Sequence, residues 1–256
     1  MTSSDHAVVT EDLTIRFGGL TAVDHVNLQV PTGTRRAIIG PNGAGKTTMF
    51  NLIAGQLKPT SGRVLLSGRD VSGMRVQDRT RAGVGRTFQI SNLFGGLTVT
   101  DNIRLAVAGG DPKIRRTFWK PLTSFQDVEQ RVEHLLERWD LADVRDERPV
   151  ELAYGQQRIL EIALATAGDP TVLLLDEPTA GVSKQEAENL VDTIDGLSRD
   201  LTIILVEHDM DVAFRLADEI TVMIDGQELV TGTPDTVGAD ERVIDAYLGR
   251  DDSDAA

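Results

Sequence analysis

An α/β fold built on a buried parallel sheet is the architecture this sequence predicts, and three features predict it. A glycine-rich stretch, GPNGAGKTT (Gly40–Thr48), follows the apolar run Ala37–Ile39 and precedes the helix-prone Met49, Phe50, Leu52, Ile53 and Ala54. Two uninterrupted apolar runs, Val172–Leu175 and Leu201–Val206, each end in acidic or histidine residues. Such runs suit central parallel strands covered on both faces. Between them and the glycine-rich stretch, the segment from Ser91 to Gly168 shifts to helical periodicity.

In chain order, alternation through Val8, Leu13 and Ile15 to Phe17, and again through Val26, Leu28 and Val30, predicts two short strands of a mainly antiparallel sheet. On the residues alone Phe17 reads as a core phenylalanine or as an aromatic face for a purine. Gly40 to Thr47 then fits G-x-x-x-x-G-K-[ST], a loop whose backbone N–H groups cradle phosphate. Glycines allow that curl because a Cβ would obstruct it. Lys46 reaches the outer phosphates, the Thr47 hydroxyl suits Mg²⁺, and the helix beginning at Lys46 adds its positive dipole end. Nucleoside triphosphate binding follows from this context.

The turn KPTSG leads into the strand RVLLSG, and the polar Asp70–Arg81 predicts a short helix within a loop. GVGRTFQ reads as a strand that delivers Gln89 to the sheet edge where ligands bind. Val128, Val132, Leu135, Leu136 and Trp139 form one helical stripe. The basic, aromatic stretch Asp111–Phe125 reads as a surface loop or as a contact for an anionic surface or partner. Gly155 opens a helix with Ile159, Ile162 and Ala163 among its apolar positions. The strand TVLLLDEP places Asp176, a candidate Mg²⁺ ligand, before Glu177, which can polarise an attacking water. Ser183 and Glu186 form a capping box for a helix burying Ala187, Leu190, Val191 and Ile194. LTIILVEH delivers Glu207 and His208, and ITVMI-DG-QELV is a hairpin with an Asp225-Gly226 turn. A short helix ends near Tyr247-Leu248.

Composition narrows the function classes. The formal charge is −14, from 40 acidic against 26 basic residues, which argues against a nucleic-acid binder. No apolar run approaches the roughly 20 residues that span a bilayer, and the polar start MTSSDH is not that of a secretory signal. Without cysteine there are no disulfides or thiolate metal sites, and a cytoplasmic location is expected.

Taken together, these residues resemble the ATP-binding-cassette (ABC) ATPases over nearly the whole chain. GPNGAGKTT looks like the Walker A motif, LLLDEP like Walker B with the catalytic glutamate, and Gln89 like the Q-loop. LAYGQQR is similar to the signature motif, His208 to the switch histidine and Phe17 to the adenine-stacking aromatic. FGGLTAVD, GRTFQISNLF, YGQQRILEIA, VEHDM and AYLG resemble the ATPases of branched-chain amino acid importers, whose relatives carry urea, amides or organic acids.

The resemblance implies a P-loop NTPase (RecA-like) core with an antiparallel β-subdomain, about 1–90 and 166–250. It also implies a helical signature subdomain at about 91–165, all within a single domain at 1–250; by its own acidic composition, 251–256 reads as a disordered tail. It implies ATP and Mg²⁺ as cofactors, catalytic roles for Glu177, His208 and Gln89, and metal contacts from Thr47, Gln89 and Asp176. Nucleotide contacts would come from Phe17, Asn42, Gly43, Ala44, Gly45, Lys46, Thr47 and Thr48. Tyr154, Gly155 and Gln156 would contact the nucleotide of a facing subunit in a head-to-tail dimer, formed with itself or a sister ATPase.

Membrane permease subunits would bind a groove near Gln89 to Leu97, with Phe94 and Leu97 exposed, and a solute-binding protein would act indirectly. The protein would then sit peripherally on the inner face of the cell membrane. The rival expectations are a soluble ABC ATPase and a nucleotide-gated regulator, neither coupled to transport. Ala153 stands where the pattern has serine, and Ser183 where it has aspartate or asparagine, so weakened hydrolysis is expected.

Overall fold

The computed structural model of the protein describes residues 6–87, 93–110, 114 and 121–248. Gln89, the acidic tail and most of the Asp111–Phe125 stretch lie outside the described residues. The chain forms two compact units. One takes the chain up to Val84, then Thr171–Glu177 and the part from Leu197 on; the other takes Gly85–Pro170 and Pro178–Gly196.

The first unit holds two sheets. In the antiparallel one, β1 (His6–Phe17) pairs with β2 (Leu20–Val26) along its second half and with β3 (Gln29–Pro31) along its first. The opening segment is thus three strands rather than the two expected. Leu28 lies between β2 and β3, and Asp12 adopts φ 46 where β1 changes partner. On its other side β1 pairs with β5 (Ser61–Leu66), which pairs with the two-residue β6 (Arg69–Asp70).

Within this unit the second sheet runs β11-β10-β4-β9-β8, and β7 begins at the unit's last residue before the boundary, Val84. The strands are β4 (Arg35–Ile39), β7 (Val84–Arg86), β8 (Val172–Asp176), β9 (Thr202–Val206), β10 (Glu219–Ile224) and β11 (Gln227–Gly232). Every residue of β4, β8 and β9 is buried, Arg35 and Arg36 of β4 included, as parallel strands covered on both faces require. Register sets the functional geometry. Ile38 pairs with Val206, and Val206 with Asp176, so three parallel strands end level. The segments leaving their carboxyl ends therefore emerge along one edge, where open α/β sheets bind ligands. β10 and β11 close through Asp225 (φ 49) and Gly226 (φ 82), the left-handed pair that an Asp-Gly hairpin supplies.

Helix α1 (Lys46–Ala54) buries Met49, Phe50, Leu52, Ile53 and Ala54 against this core. The polar segment after β6 forms α2 (Val76–Arg81), the short helix expected. Its Arg79 is not solvated, however: the side chain is completely buried. Its Nη1 donates to the carbonyls of Leu52 (2.5 Å) and Ile53 (2.7 Å), and Nη2 to that of Ser72 (3.3 Å). The guanidinium thus occupies the C-terminal end of α1, where unpaired carbonyls and the helix dipole favour a cation. Burial pulls its pKa down to about 10, against the opposing charge of Asp70. Space for it exists because residue 55 is glycine, where a Cβ would lie 2.7 Å from the Arg79 Nε.

The second unit is helical: α3 (Val99–Gly110), α4 (Gln126–Arg138), α5 (Tyr154–Thr166) and α6 (Lys184–Asp195). The expected stripe Val128, Val132, Leu135, Leu136 and Trp139 is buried throughout. In α5 the inward set includes Leu160, Ile162 and Ala163, while Ile159 is only half-buried. Arg104 joins α3 to α4 through both oxygens of Glu129, at 2.6 and 3.0 Å. Buried Asn102 organises the turn ahead of α3: its Oδ1 accepts from the Phe94 N–H, and its Nδ2 donates to the Phe94, Leu97 and Thr98 carbonyls. That turn leaves Phe94 exposed and Leu97 half-buried, so only the first matches the expected pair of exposed apolar residues. The remaining helices, α7 (Met210–Leu216), α8 (Pro234–Gly238) and α9 (Glu241–Leu248), belong to the first unit. No helix among the described residues is long and apolar enough to cross a membrane.

Candidate functional site: a phosphate cradle and a helix N-terminus

The cradle begins where β4 ends. Gly40 (φ 150) and Gly45 (φ 94) occupy backbone conformations that side chains avoid, and both are packed against backbone. A Cβ at Gly40 would meet the Met223 carbonyl at 2.1 Å, and one at Gly45 would meet the Ala22 carbonyl at 2.3 Å. Gly43 (φ 80) has open space around it. Gly45 is also the N-cap of α1 and supplies no side-chain cap, so the first N–H groups of that helix stay available for an anion. Asn42 and Gly43 are exposed, Ala44 is buried, and Thr47 and Thr48 are half-buried on the first turn.

Lys46 is buried, and its ammonium donates to the carbonyls of Gly40 (2.6 Å) and Pro41 (3.1 Å). Burial lowers its pKa, and the Glu177 carboxylate opposes that shift. The cradle's cation is therefore held on the loop itself, by the Gly40 and Pro41 carbonyls.

The neighbouring strand ends supply the other groups. Asp176 is the buried last residue of β8. Glu177 follows at φ 46 with its N–H donating to the Val206 carbonyl at 2.9 Å. A non-glycine residue held in that region stores strain of about 1–3 kcal/mol, and such strain clusters at functional sites. Beyond β9, Glu207 is fully buried and His208 is exposed. Phe17 is 48 % exposed, which removes the reading of a core phenylalanine. It pairs with Leu20 across the β1–β2 turn, and the same hairpin brings Ala22 against Gly45.

The donors fit a hard divalent ion. Thr47 and Asp176 offer a hydroxyl and a carboxylate, and the described residues contain no group of three His, Cys, Asp or Glu that could cage a metal. Mg²⁺ suits such a sparse oxygen set because it keeps waters and binds together with substrate phosphates.

In the helical unit, α5 begins at Ala153, an N-cap that has no side-chain oxygen to offer. The Ala153 N–H donates to Gln156 Oε1 at 3.1 Å, so only half of a capping box is present. Tyr154 is exposed; its hydroxyl accepts from Arg158 Nη2 at 2.8 Å, and the guanidinium lies over its ring. The Gly155 N–H donates to Glu186 Oε1 at 3.3 Å. The second oxygen of Glu186 accepts from the Ser183 N–H (2.9 Å) and Ser183 hydroxyl (2.6 Å). These bonds hold the Glu186 carboxyl below the usual carboxylate range. The capping box of α6 was readable from sequence, but its attachment to Gly155 was not. The two residues are 31 positions apart, and no local pattern announces the contact.

Known proteins resemble this one over nearly its whole length. The ABC transporter family profile matches residues 23–180, and the branched-chain amino acid ATP-binding cassette transporter profile matches residues 227–253. The high-affinity branched-chain amino acid transport ATP-binding protein BraF of Pseudomonas aeruginosa is 39 % identical over 250 residues, covering 93 % of this chain and 95 % of that protein. LivG of Escherichia coli, a high-affinity branched-chain amino acid transport ATP-binding protein, is also 39 % identical, with the same coverage. Among solved structures, the ADP conformation of MJ1267, an ATP-binding cassette of an ABC transporter, superposes with a TM-score of 0.82 at 30 % identity, covering 95 % of this chain and 99 % of that one. The dimeric structure of MJ0796, a bacterial ABC transporter cassette, gives 0.75 at 26 % identity, covering 89 % and 98 %.

Proposed function

The chain belongs to the ATP-binding-cassette transporter family, and from that membership we propose how its residues power an importer of branched-chain amino acids or related small polar solutes. It is an ATPase. The observation that carries the residue assignment is the level ending of β4, β9 and β8. It sets the phosphate cradle, His208, and Asp176 with Glu177 along one sheet edge.

The cradle glycines, the N-terminal amides of α1 and Lys46 bind the phosphates, and Phe17 stacks on the base. Glu177 accepts a proton from the attacking water, and His208 contacts the transferred phosphoryl group; Gln89 belongs to the same reading. Thr47 and Asp176 would hold Mg²⁺, which would supply positive charge to offset that developing on the phosphates. Tyr154, Gly155 and Gln156 close the site of a facing subunit, itself or a sister ATPase, so that ATP joins the two. Hydrolysis weakens that attraction and lets the pair open. Permease subunits receive the motion at the Phe94 turn, which places the protein peripherally on the inner face of the membrane.

The uncoupled ATPase and the regulator are set aside, because BraF and LivG, matched over nearly their full length, are branched-chain amino acid transport proteins. The test is ATP turnover by the purified protein at several concentrations, beside Glu177→Gln. Turnover that rises faster than linearly with concentration and disappears in the variant is expected. Equal turnover in the variant would overturn the assignment of Glu177.

A further inference from the structure

We propose that Glu186 is a positioning residue of the two-subunit ATP site: in the separate subunit its carboxylate occupies the Gly155 amide that a facing γ-phosphate must take. This rests on the head-to-tail reading above. The observations themselves are independent of that reading. Gly155 N–H is one of the first donors of α5, a position that no earlier turn of the helix can satisfy. It is satisfied from outside the helix, by Glu186 Oε1 at 3.3 Å. The approach is close enough that a Cβ on Gly155 would lie 2.9 Å from the same oxygen. The carboxylate is held in place from its other side by the Ser183 amide and hydroxyl.

The residue that presents the carboxylate is Ser183, standing where the family resemblance implies aspartate or asparagine. Ala153, at the mouth of the same helix, adds no competing donor. The helix end thus already holds an anion supplied by its own chain. The γ-phosphate of a facing subunit carries the same sign, and like charges brought to one donor repel. Closure of the pair therefore requires the Glu186 side chain to rotate away from Gly155, and the charge sets a threshold that ATP binding must exceed. Its carboxyl pKa is already lowered, so the charge persists throughout the neutral range.

Glu186→Gln separates this role from simple helix capping. The single amide oxygen of Gln can still accept from the Ser183 N–H, so the cap survives, while the charge and the acceptor facing the Gly155 N–H are removed. The measurement is sedimentation equilibrium with Mg·ATP in a Glu177→Gln background, with ATP affinity of the monomer measured alongside. An exposed charge is worth a few-fold in an equilibrium, so two sites per dimer predict self-association tightened by about five- to twenty-fold. ATP affinity of the monomer should not change. Glu186→Ala should tighten the dimer less, because it also removes the cap.

A Gln variant that dimerises no better than its parent, while the Ala variant dimerises worse, would overturn the proposal and leave a structural cap. A parent that binds Mg·ATP yet does not self-associate would overturn the self-dimer reading, and this proposal with it. The parent alone reveals that outcome, so the two failures cannot be confused.

Discussion

Gly43 and Gly45, two of the three cradle glycines with positive φ, predict very different costs for the same methyl group. Alanine at Gly43 (φ 80) meets nothing within 4 Å, so its penalty is the left-handed backbone alone, about 1–2 kcal/mol. Alanine at Gly45 (φ 94) pays that strain and also places its Cβ 2.3 Å from the Ala22 carbonyl and 3.4 Å from the Gly226 Cα. Both are backbone atoms, so relief requires the β1–β2 hairpin or the β10–β11 turn to retreat by about 1 Å. Overpacking of this kind costs roughly a further 1–3 kcal/mol. The reduced chain entropy of the unfolded state is common to both variants and cancels. For a chain of this size about 2 kcal/mol corresponds to roughly 4–8 °C of melting temperature. Thermal unfolding without nucleotide should therefore place Gly45→Ala below Gly43→Ala by that interval. ATP affinity should fall much further in Gly45→Ala, because the retreat distorts the first turn of α1. Equal melting temperatures, or a larger loss in Gly43→Ala, would refute the close approach between the cradle and the hairpin.

Ala153→Ser completes the half-made capping box of α5 at a residue already extended (ψ 151), and it adds a donor at the mouth of the helix. Stability should rise by about 0.5–1.5 kcal/mol in urea unfolding, and steady-state ATP turnover should rise several-fold; unchanged turnover would confine the effect to the helix. Tyr247 gives a pH prediction. Its hydroxyl is buried without a hydrogen bond of normal geometry, and burial raises its pKa to about 12, offset in small part by the Gly40 backbone. The folded state keeps the phenolic proton where the unfolded chain releases it. The stability tied to this group is therefore complete below pH 10 and is lost as pH rises towards 12, by about 2 kcal/mol. Tyr247→Phe should be as stable as the parent or slightly more so at pH 8, and should lack that alkaline loss. Parallel curves for the two proteins between pH 9 and 12 would count against a buried phenol.

Much of the first unit was legible because its signals are local. Continuous apolar runs marked β8 and β9, Asp225-Gly226 marked the hairpin, and glycine spacing marked the cradle. Strand order was harder, since no residue in β9 says that it lies between β4 and β8. Only the pairings Ile38 with Val206 and Val206 with Asp176 bring the motifs to one edge. Polar side chains turned inward were invisible for the same reason. Arg79 reads as a solvated cation, and its two shortest carbonyl contacts are 26 and 27 positions away. Asn102 reads as a neutral helix residue, yet it shapes the Phe94 turn. Glu186 reads as a cap and also reaches Gly155.

Arg79 has a consequence for how this chain can exchange parts with its relatives. Its guanidinium needs the space that Gly55 leaves, and the carbonyls of Leu52 and Ile53 need its protons. Positions 55 and 79 therefore make one heritable choice rather than two. A chimera that imports α1 with a larger residue at 55 drives a side chain into a buried cation. One that imports α2 with an apolar residue at 79 strands the Ile53 carbonyl and leaves that of Leu52 with the Gly55 N–H alone, at the tail of the phosphate-binding helix. Either crossover fails alone, and a breakpoint is tolerated only where both positions travel on the same fragment.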